Sequence, residues 1–408
     1  MALCELLGAE PYVARNIGSG TVQEMSEWVE YLTRSGTSPM VELRRANGRE
    51  EPWRVPFWGL GNETWGCGGR MSAQTSADLA RQYAVYCRDH GDNVLYRIAS
   101  GASEGDYAWT EALMKAVAEL RDGAFPVLPF QGVSVHHYTI GGTWTDKGSA
   151  TAFGDEEYWR TIAAAQAIEP VLRGHIAVMD RYDPAGEVGL VLDEWGTWWD
   201  VEPGTNPGFL FQQNTMRDAL VASLHFDVFH RLAGRLSMAT IAQTVNVLQA
   251  MLLTDEETGA LVRTPTFHVF EMSRVHHDAV AVPVHVRAPG LVREAEGRAL
   301  PTVSASASVA GGRCHVSVSN LDLDQELVVE LDLRGGRAEE VGARLLAPPA
   351  VQSYNSAAAP DAVTPREVTG LERTATGVRI TLPPHSFAVV TLVLREGGVV
   401  EITDGEQS

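Results

Sequence analysis

The amino-acid sequence predicts an α/β barrel followed by an all-β domain. Up to about residue 275, short apolar runs alternate with amphipathic helical segments, a pattern that is typical of a parallel sheet covered by helices. Polar residues recur where these runs end. After about residue 278, alternating strand patterns replace the helical ones, which predicts a separate β domain.

Five short runs in the first part have the composition of buried strands. Each is rich in β-branched or aromatic residues and is bounded by Gly, Pro or polar residues. The runs are residues 11–16, 56–63, 93–101, 132–138 and 189–195. Before the first run, Leu3, Leu6 and Leu7 followed by Gly8 predict the end of a helix.

Helical segments lie between the runs, with apolar residues three and four positions apart. The predicted helices are 76–90, 106–121, 156–172 and 211–231. This alternation fits both a doubly wound sheet and a (β/α)8 barrel. No G-x-G-x-x-G motif follows the first strand, which disfavours a dinucleotide-binding sheet.

The position of the polar residues favours the barrel. They fall at the carboxyl ends of predicted strands, at Asn16, Asn62-Glu63, His136-His137-Tyr138 and Asp193-Glu194. In a barrel those ends meet at one mouth, where the chemistry of the fold takes place.

The last third of the chain predicts a β-sandwich. Alternating apolar patterns occur at 302–311, 313–321, 326–333, 377–382 and 387–394. We therefore expect a barrel domain over residues 1–277 and a β-sandwich over residues 278–408.

Composition excludes several classes of partner. Lys and Arg number 32 against 52 Asp and Glu, a formal net charge of −20, and no basic cluster interrupts this excess. Nucleic acid and anionic membranes are therefore not expected partners. No apolar run approaches the ~18–20 residues of a membrane span, and the start of the chain does not have the pattern of a signal peptide.

The cysteines and histidines predict neither a disulfide framework nor a metal site. The four cysteines are scattered without CxxC spacing, which favours reduced thiols and a cytoplasmic location. No cofactor is expected. His276 and His277 are adjacent, so they would point to different sides of a helix, and we expect both on the surface.

Two glutamates are the main catalytic candidates. Glu63 and Glu194 each end an apolar run, beside a polar residue and shortly before a Trp. A single strand-end Glu is most often an ordinary surface acid. Two that face each other across a barrel mouth suit glycosidic bond cleavage, one as a proton donor and the other as an ionised nucleophile. Asn62 would then hydrogen-bond a ring hydroxyl, and Tyr138 would hold the nucleophile.

An ordered set of motifs resembles glycoside hydrolase family 51, the α-L-arabinofuranosidases. The motifs are WGLGNETWG (58–66), SVHHYT (134–139), VLDEWGTWW (191–199), TVNVLQA (244–250) and TPTFHVFEM (264–272). GNE alone is shared by many retaining barrel glycosidases, but the ordered set is specific, and it covers residues 1 to about 275. The resemblance implies removal of α-L-arabinofuranosyl residues from oligo- or polysaccharides by a retaining double displacement.

The resemblance also implies roles for individual residues. Glu63, after Asn on the family's fourth strand, matches the acid/base, and Glu194, on the seventh strand, matches the nucleophile. Asn62 matches the residue that holds the sugar, and Tyr138 matches the one that positions the nucleophile. Trp198 matches part of the aromatic wall of the pocket.

Two further matches leave alternatives open. Gln243 matches a glutamine that contacts the sugar, but a surface or helix-end glutamine is an equal interpretation. His136 matches the histidine of the sixth strand, where a packed core histidine competes with a substrate contact. Family members commonly form hexamers or other oligomers, so the resemblance also implies a homo-oligomer.

The start of the chain departs from the family pattern. Family members have two more barrel strands and further sandwich strands upstream, so we expect this chain to supply six of eight barrel strands and to be impaired in activity. Two alternatives to an arabinofuranosidase stay open on the residues alone. They are another retaining barrel glycosidase, such as a β-xylosidase or an endoglucanase, and an inactive truncated fragment.

Overall fold

Six short strands form the first sheet of the computed structural model and lie side by side in chain order. They are β1 (Tyr12–Arg15), β2 (Phe57–Leu60), β3 (Tyr96–Ser103), β4 (Gly132–Thr139), β5 (Gly189–Thr197) and β6 (Leu236–Ala239). β1 to β4 pair in parallel, as do β5 and β6. The structure describes residues 1–288, 292–295, 297–334, 338–369 and 371–394. The sheet confirms the predicted barrel-type α/β class and its count of six strands.

Nine α-helices lie in the described residues. They are α1 (Ala2–Leu7), α2 (Val22–Thr33), α3 (Pro39–Ala46), α4 (Ala73–Tyr86), α5 (Tyr107–Arg121), α6 (Asp155–Gln166), α7 (Ile168–Tyr182), α8 (Met216–Arg231) and α9 (Pro265–Ser273). Gly8 ends α1 in the left-handed conformation, as its position predicted. Thr21 and Glu24 form a capping box that begins α2.

The predicted helix over 156–172 is two helices in the structure, α6 and α7. Pro170 lies in the first turn of α7 and has no N–H, so it cannot donate to the carbonyl of Gln166. A continuous helix would need that bond, and the chain therefore starts a new helix at Ile168.

A bulge shapes the centre of the first sheet. The register of β3 against β4 shifts between Ala99 and Ala102. At Gly101 a Cβ atom would lie 1.6 Å from the carbonyl oxygen of Ser134, so this position admits only glycine. The close approach at the bulge precedes the strand ends that present His136 and His137.

The carboxyl-terminal part is built from antiparallel strands. They are β7 (Leu252–Thr254), β8 (Leu261–Arg263), β9 (Val280–Val282), β10 (Val292–Ala295), β11 (Arg298–Pro301), β12 (Val303–Ala310), β13 (Arg313–Asn320), β14 (Leu327–Asp332), β15 (Ala338–Leu346), β16 (Arg366–Glu367), β17 (Glu372–Arg373), β18 (Gly377–Leu382) and β19 (Ser386–Leu394). One sheet has the order β16-β15-β19-β13-β12-β9, and another has the order β14-β18-β17. Apolar residues of both sheets share one core, which confirms the predicted sandwich.

Contacts divide the chain into two units that are interleaved along the sequence. One comprises residues 1–137, 169–195 and 234–240, and the other comprises residues 138–168, 196–233 and 241–408. The first unit therefore contains most of the parallel sheet, and the second contains the sandwich with α6, α8 and α9. The domain boundary after residue 277 stays a prediction.

Buried hydrogen bonds in the second unit correct the prediction that His276 lies on the surface. His276 is buried, and its two ring nitrogens each lie 2.7 Å from a serine hydroxyl, those of Ser308 and Ser317. His277 is exposed, so the two rings do point to different sides. The surface position predicted for His276 is wrong because an alternating strand pattern does not reveal which of its faces another element covers.

Candidate active site

The two candidate glutamates lie at the carboxyl ends of β2 and β5. Glu63 comes three residues after β2, in a turn, with φ at 45°. Its carbonyl oxygen accepts hydrogen bonds from the N–H groups of Gly66 and Gly68, at 2.8 and 2.9 Å. Left-handed backbone at a residue other than glycine costs conformational energy and is concentrated at functional sites. Glu194 lies within β5 and is held by the sheet.

His136 joins the two carboxylates. Its Nδ1 lies 3.0 Å from Oε1 of Glu63 and 3.3 Å from Oε2 of Glu194. One ligand atom from each of the three residues lies within 4.8 Å of the other two. Retaining glycosidases hold their carboxyl groups about 5–5.5 Å apart, whereas inverting enzymes need about 6.5–9.5 Å for an intervening water. The two carboxylates are therefore closer together than an inverting mechanism needs, which favours a retaining one.

Asp193 and Tyr12 complete the surroundings of His136. The Nε2 atom of His136 lies 3.1 Å from Oδ1 of Asp193. The hydroxyl of Tyr12, on β1, donates to Oδ2 of the same carboxylate at 2.9 Å. Burial and the Asp193 charge raise the pKa of Tyr12 well above its usual value, so the phenol stays protonated and keeps donating.

The contacts of His136 favour its charged form. It is 4 % exposed, and this burial opposes the charged ring. Hydrogen bonds to Asp193 and Glu63, with the charges of Asp193 and Glu194, outweigh burial and raise its pKa to about 10. The bond from His136 is in turn the main reason that the pKa of Glu63 is lowered. His136 thus has acidic side chains within contact of both of its ring nitrogens.

Glu63, His136 and Glu194 are close enough together to suggest a metal site. Because the two glutamates are the catalytic candidates and His136 contacts both, we interpret the group as a hydrogen-bonded cluster of catalytic side chains.

The neighbouring His137 points to the other face of β4. It is buried, and its Nδ1 lies 2.5 Å from Oε2 of Glu104. Successive side chains of a strand alternate between faces, so only one of the two adjacent histidines can reach Glu63 and Glu194. The alternation along a strand does not by itself indicate which, and the family resemblance had selected His136.

The second unit holds an aromatic group that includes two of the predicted substrate-binding residues. The rings of Tyr138 and Trp198 lie 5.0 Å apart, edge to face, and Trp144 lies 5.4 Å from Trp198. The Nζ of Lys147 lies 5.5 Å from the centre of the Trp198 ring. Trp144 is exposed and is a residue that sequence analysis did not select.

The remaining predicted site residues are exposed. Asn62 lies at the start of the turn that contains Glu63, and Gln243 lies in an irregular segment. The buried glutamine of that region is Gln249, whose Oε1 accepts from the backbone of Thr197 at 2.7 Å. Its Nε2 donates to the carbonyl of Asp218 at 2.7 Å, so Gln249 supports the end of β5.

Comparison with known proteins identifies the family. Residues 193–386 match the α-L-arabinofuranosidase C-terminal domain, and residues 2–77 match the α-L-arabinofuranosidase 1 domain. An intracellular exo-α-L-arabinofuranosidase of Bacteroides ovatus is 45% identical over 395 residues, which are 96% of this chain and 74% of the relative. The chain belongs to the α-L-arabinofuranosidases of glycoside hydrolase family 51.

Solved structures of family 51 enzymes agree with this assignment. The arabinofuranosidase of Xanthomonas axonopodis pv. citri is 40% identical with a TM-score of 0.90, over 96% of this chain and 77% of that one. The enzyme of Thermotoga petrophila is 25% identical with a TM-score of 0.79, over 96% and 77%. The chain thus spans about three quarters of these relatives.

Family 51 membership settles the class of reaction. The protein is a glycoside hydrolase that removes arabinofuranosyl residues, and arabinose-containing saccharides are its substrates. The retaining mechanism is a property of the family, and the predicted resemblance is confirmed. No helix in the described residues is long and apolar enough to cross a membrane.

Proposed function

We propose that Glu194 is the nucleophile and Glu63 the acid/base of the family 51 double displacement in this protein. The observation that supports these roles is the close approach of the two carboxylates on either side of His136. In the first step, Glu194 attacks the anomeric carbon and forms a glycosyl ester, while Glu63 protonates the departing oxygen. In the second step, Glu63 takes a proton from water, and the resulting hydroxide displaces Glu194.

His136 supplies the proton that Glu63 needs. The lowered pKa of Glu63 means that this carboxylate is ionised in the free site, with the proton on His136. The bond between Nδ1 and Oε1 lets the proton move to Glu63 as the glycosidic oxygen becomes basic. In the second step, the proton taken from water returns to His136. Each turnover thus sends one proton out with the leaving group and regains one from water, and Asp193 stabilises the ring while it is charged.

Four further residues are proposed to bind the sugar. Asn62 is adjacent to Glu63, and its amide suits a ring hydroxyl. Tyr138 follows His136 by two residues on β4, and Trp198 directly follows β5. Gln243, an exposed amide, is proposed as a fourth sugar contact on the strength of the family motif alone.

Two variants test the catalytic roles. Glu194→Ala should abolish turnover of every arabinofuranoside, because no other group attacks the anomeric carbon. Glu63→Ala should retain the first step on aryl arabinofuranosides with good leaving groups, which need little acid assistance, and should slow the second. Added azide should restore turnover of Glu63→Ala and release an arabinosyl azide of retained configuration.

The azide experiment also separates these roles from their reversal. If azide instead gave a product of inverted configuration with Glu63→Ala and one of retained configuration with Glu194→Ala, the two assignments would be exchanged. Equal loss in both variants on an activated substrate, without any rescue, would contradict the proposal.

The finer details of substrate and setting are also proposals. We expect attack at terminal arabinofuranosyl residues of oligosaccharides and a cytoplasmic location, both suggested by the description of the Bacteroides ovatus relative as intracellular and exo-acting. A homo-oligomer is expected from the family. Light scattering on the purified protein would measure its oligomeric state directly.

A further inference from the structure

A cysteine lies against the acid/base candidate. The thiol of Cys67 donates a hydrogen bond to Oε2 of Glu63 at 3.2 Å. The other oxygen, Oε1, faces His136. Both oxygens of this carboxylate therefore have a hydrogen-bond donor, one from β4 and one from its own turn. The catalytic scheme above gives Cys67 no part.

The turn that carries Cys67 is unusually tight. A Cβ atom at Gly68 would lie 1.8 Å from the carbonyl oxygen of Asn62. A Cβ atom at Gly18 would lie 2.3 Å from the carbonyl oxygen of Gly68. Glycine at both positions lets the turn fold back over residues 62 and 63, which places the thiol above the carboxylate.

The charge on Glu63 keeps the thiol in its donating form. The hydrogen bond to this carboxylate is the main reason that the pKa of Cys67 is raised, and burial and the charge of Glu194 act in the same direction. A thiol with a raised pKa is a poor nucleophile and a poor target for oxidation at neutral pH. The surroundings of Cys67 thus favour a lasting hydrogen bond over redox or covalent chemistry.

We propose that Cys67 is a positioning residue that orients the Glu63 carboxylate for proton transfer to the leaving oxygen. This inference rests on the proposed acid/base role of Glu63. A thiol is a weak donor and can also accept, so it stays in contact with Glu63 in both the ionised and the protonated state. Without it, Oε2 has no donor on its own turn, and the carboxylate can rotate away from the departing oxygen.

The test compares two substrates whose need for acid assistance differs. With a 2,4-dinitrophenyl α-L-arabinofuranoside the leaving group departs unaided, whereas methyl α-L-arabinofuranoside needs a well-placed proton. We expect Cys67→Ala to lower kcat/KM about tenfold on the methyl glycoside, since misplacement of a catalytic group by ~1 Å costs up to ~10²-fold. On the dinitrophenyl glycoside it should change kcat/KM less than about twofold.

Two further variants control the measurement. Cys67→Ser keeps a donor and should recover most of the loss on the methyl glycoside. Cys4→Ala removes another partly accessible thiol, outside the site, and should leave kcat/KM unchanged on both substrates. Equal loss on both substrates in Cys67→Ala, or no recovery in Cys67→Ser, would overturn the inference.

Glu63→Ala, measured on the same pair of substrates, separates this inference from the function on which it rests. If Glu63→Ala lost activity equally on both, the acid/base assignment would fail. If its loss were confined to the methyl glycoside while that of Cys67→Ala was uniform, the assignment would stand and the role of Cys67 alone would be refuted.

Discussion

At the scale of single residues, His136 is the residue around which the site is organised. Its ring is buried and is held by Asp193 on one nitrogen and by Glu63 and Glu194 on the other. Without a cation, three carboxylates would share a small, partly dehydrated space, at a considerable cost in free energy. The protonated ring of His136 therefore stabilises the folded site and supplies the proton for the reaction.

His136→Gln should show both effects. We expect kcat/KM on methyl α-L-arabinofuranoside to fall at least about 10²-fold, the upper range for loss of one general acid–base group. The free energy of unfolding, measured in urea at pH 6, should fall by about 3 kcal/mol, because the variant leaves buried carboxylates without their counter-charge. The exposed His277→Gln is the matched control and should change neither quantity.

The stability effect of His136→Gln should depend on pH. The pKa of His136 in the folded protein, about 10, lies above its ordinary value of 6.5. The stabilisation from this group is therefore complete below pH 6.5 and is lost as the pH rises through about 10. The difference between wild type and variant should shrink from pH 6 to pH 10. A constant difference would show that the ring is neutral.

At the scale of elements, the loop over residues 140–148 presents an exposed aromatic surface. Trp144 is 58 % exposed and packs edge to face on Trp198. A bridge between Thr143 and Asp146 shapes this loop. An exposed indole beside a predicted sugar-binding residue is suited to stack on a sugar ring of the substrate.

Trp144→Ala should affect long substrates more than short ones. We expect KM for arabino-oligosaccharides to rise about fivefold, the effect of one lost stacking contact. Hydrolysis of 4-nitrophenyl α-L-arabinofuranoside should stay unchanged, because that substrate has no second sugar. Phe125→Ala, which removes another highly exposed aromatic ring, is the control and should leave KM unchanged for both substrates. A similar KM increase on both substrates would place Trp144 at the terminal arabinose instead.

The bulge between β3 and β4 provides a second element-scale test. Gly101→Ala places a methyl group where the carbonyl of Ser134 already lies, so the two strands must separate. We expect a loss of about 3 kcal/mol or more in the free energy of unfolding, the upper range for overpacking. Gly234→Ala is the control, since its Cβ meets no atom within 4 Å. Equal melting temperatures for both variants would show that the sheet accommodates the methyl group.

At the scale of the whole molecule, buried polar side chains join α8 to the sandwich in the second unit. Asp227 of α8 accepts hydrogen bonds from the hydroxyls of Ser304 and Ser306 on β12. His230 of the same helix also contacts Ser306, at 2.8 Å. Burial raises the pKa of Asp227 to about 6, although both serine bonds act against this. The ionised form of Asp227 is therefore disfavoured in the folded protein.

Asp227→Asn should become more stable relative to the wild type as the pH rises. The pKa of Asp227 is higher in the folded protein than its ordinary value of 3.8, so ionisation weakens the wild type between pH 4 and pH 7. The variant cannot ionise and avoids this loss, which amounts to roughly 2–3 kcal/mol. Urea unfolding at pH 4.5 and pH 7.5 measures the change, with the exposed Asp361→Asn as control. A difference that does not vary with pH would show that folding does not raise the pKa of Asp227.

Local patterns in the sequence were sufficient for the class of fold and for the family. Strand and helix periodicity reflects which side chains are buried, so the alternation up to residue 275 and the change after it predicted the parallel sheet and the sandwich. The carboxyl ends of parallel strands share one edge, and this rule brought Glu63 and Glu194 to the same site. The break before α7 was missed because a proline in a first helical turn resembles one inside a longer helix.

Contacts between distant residues were decided only by the tertiary structure. The bond from Tyr12 to Asp193 joins residues 181 positions apart, and His136 reaches Glu63 across 73. No local pattern contains that information, because strand register and the alternation of side chains decide which strand-end groups meet. The sequence by itself therefore determined that this is a family 51 arabinofuranosidase with two candidate carboxylates. Only the fold decided that a buried histidine lies between them and that a cysteine thiol touches the acid/base candidate.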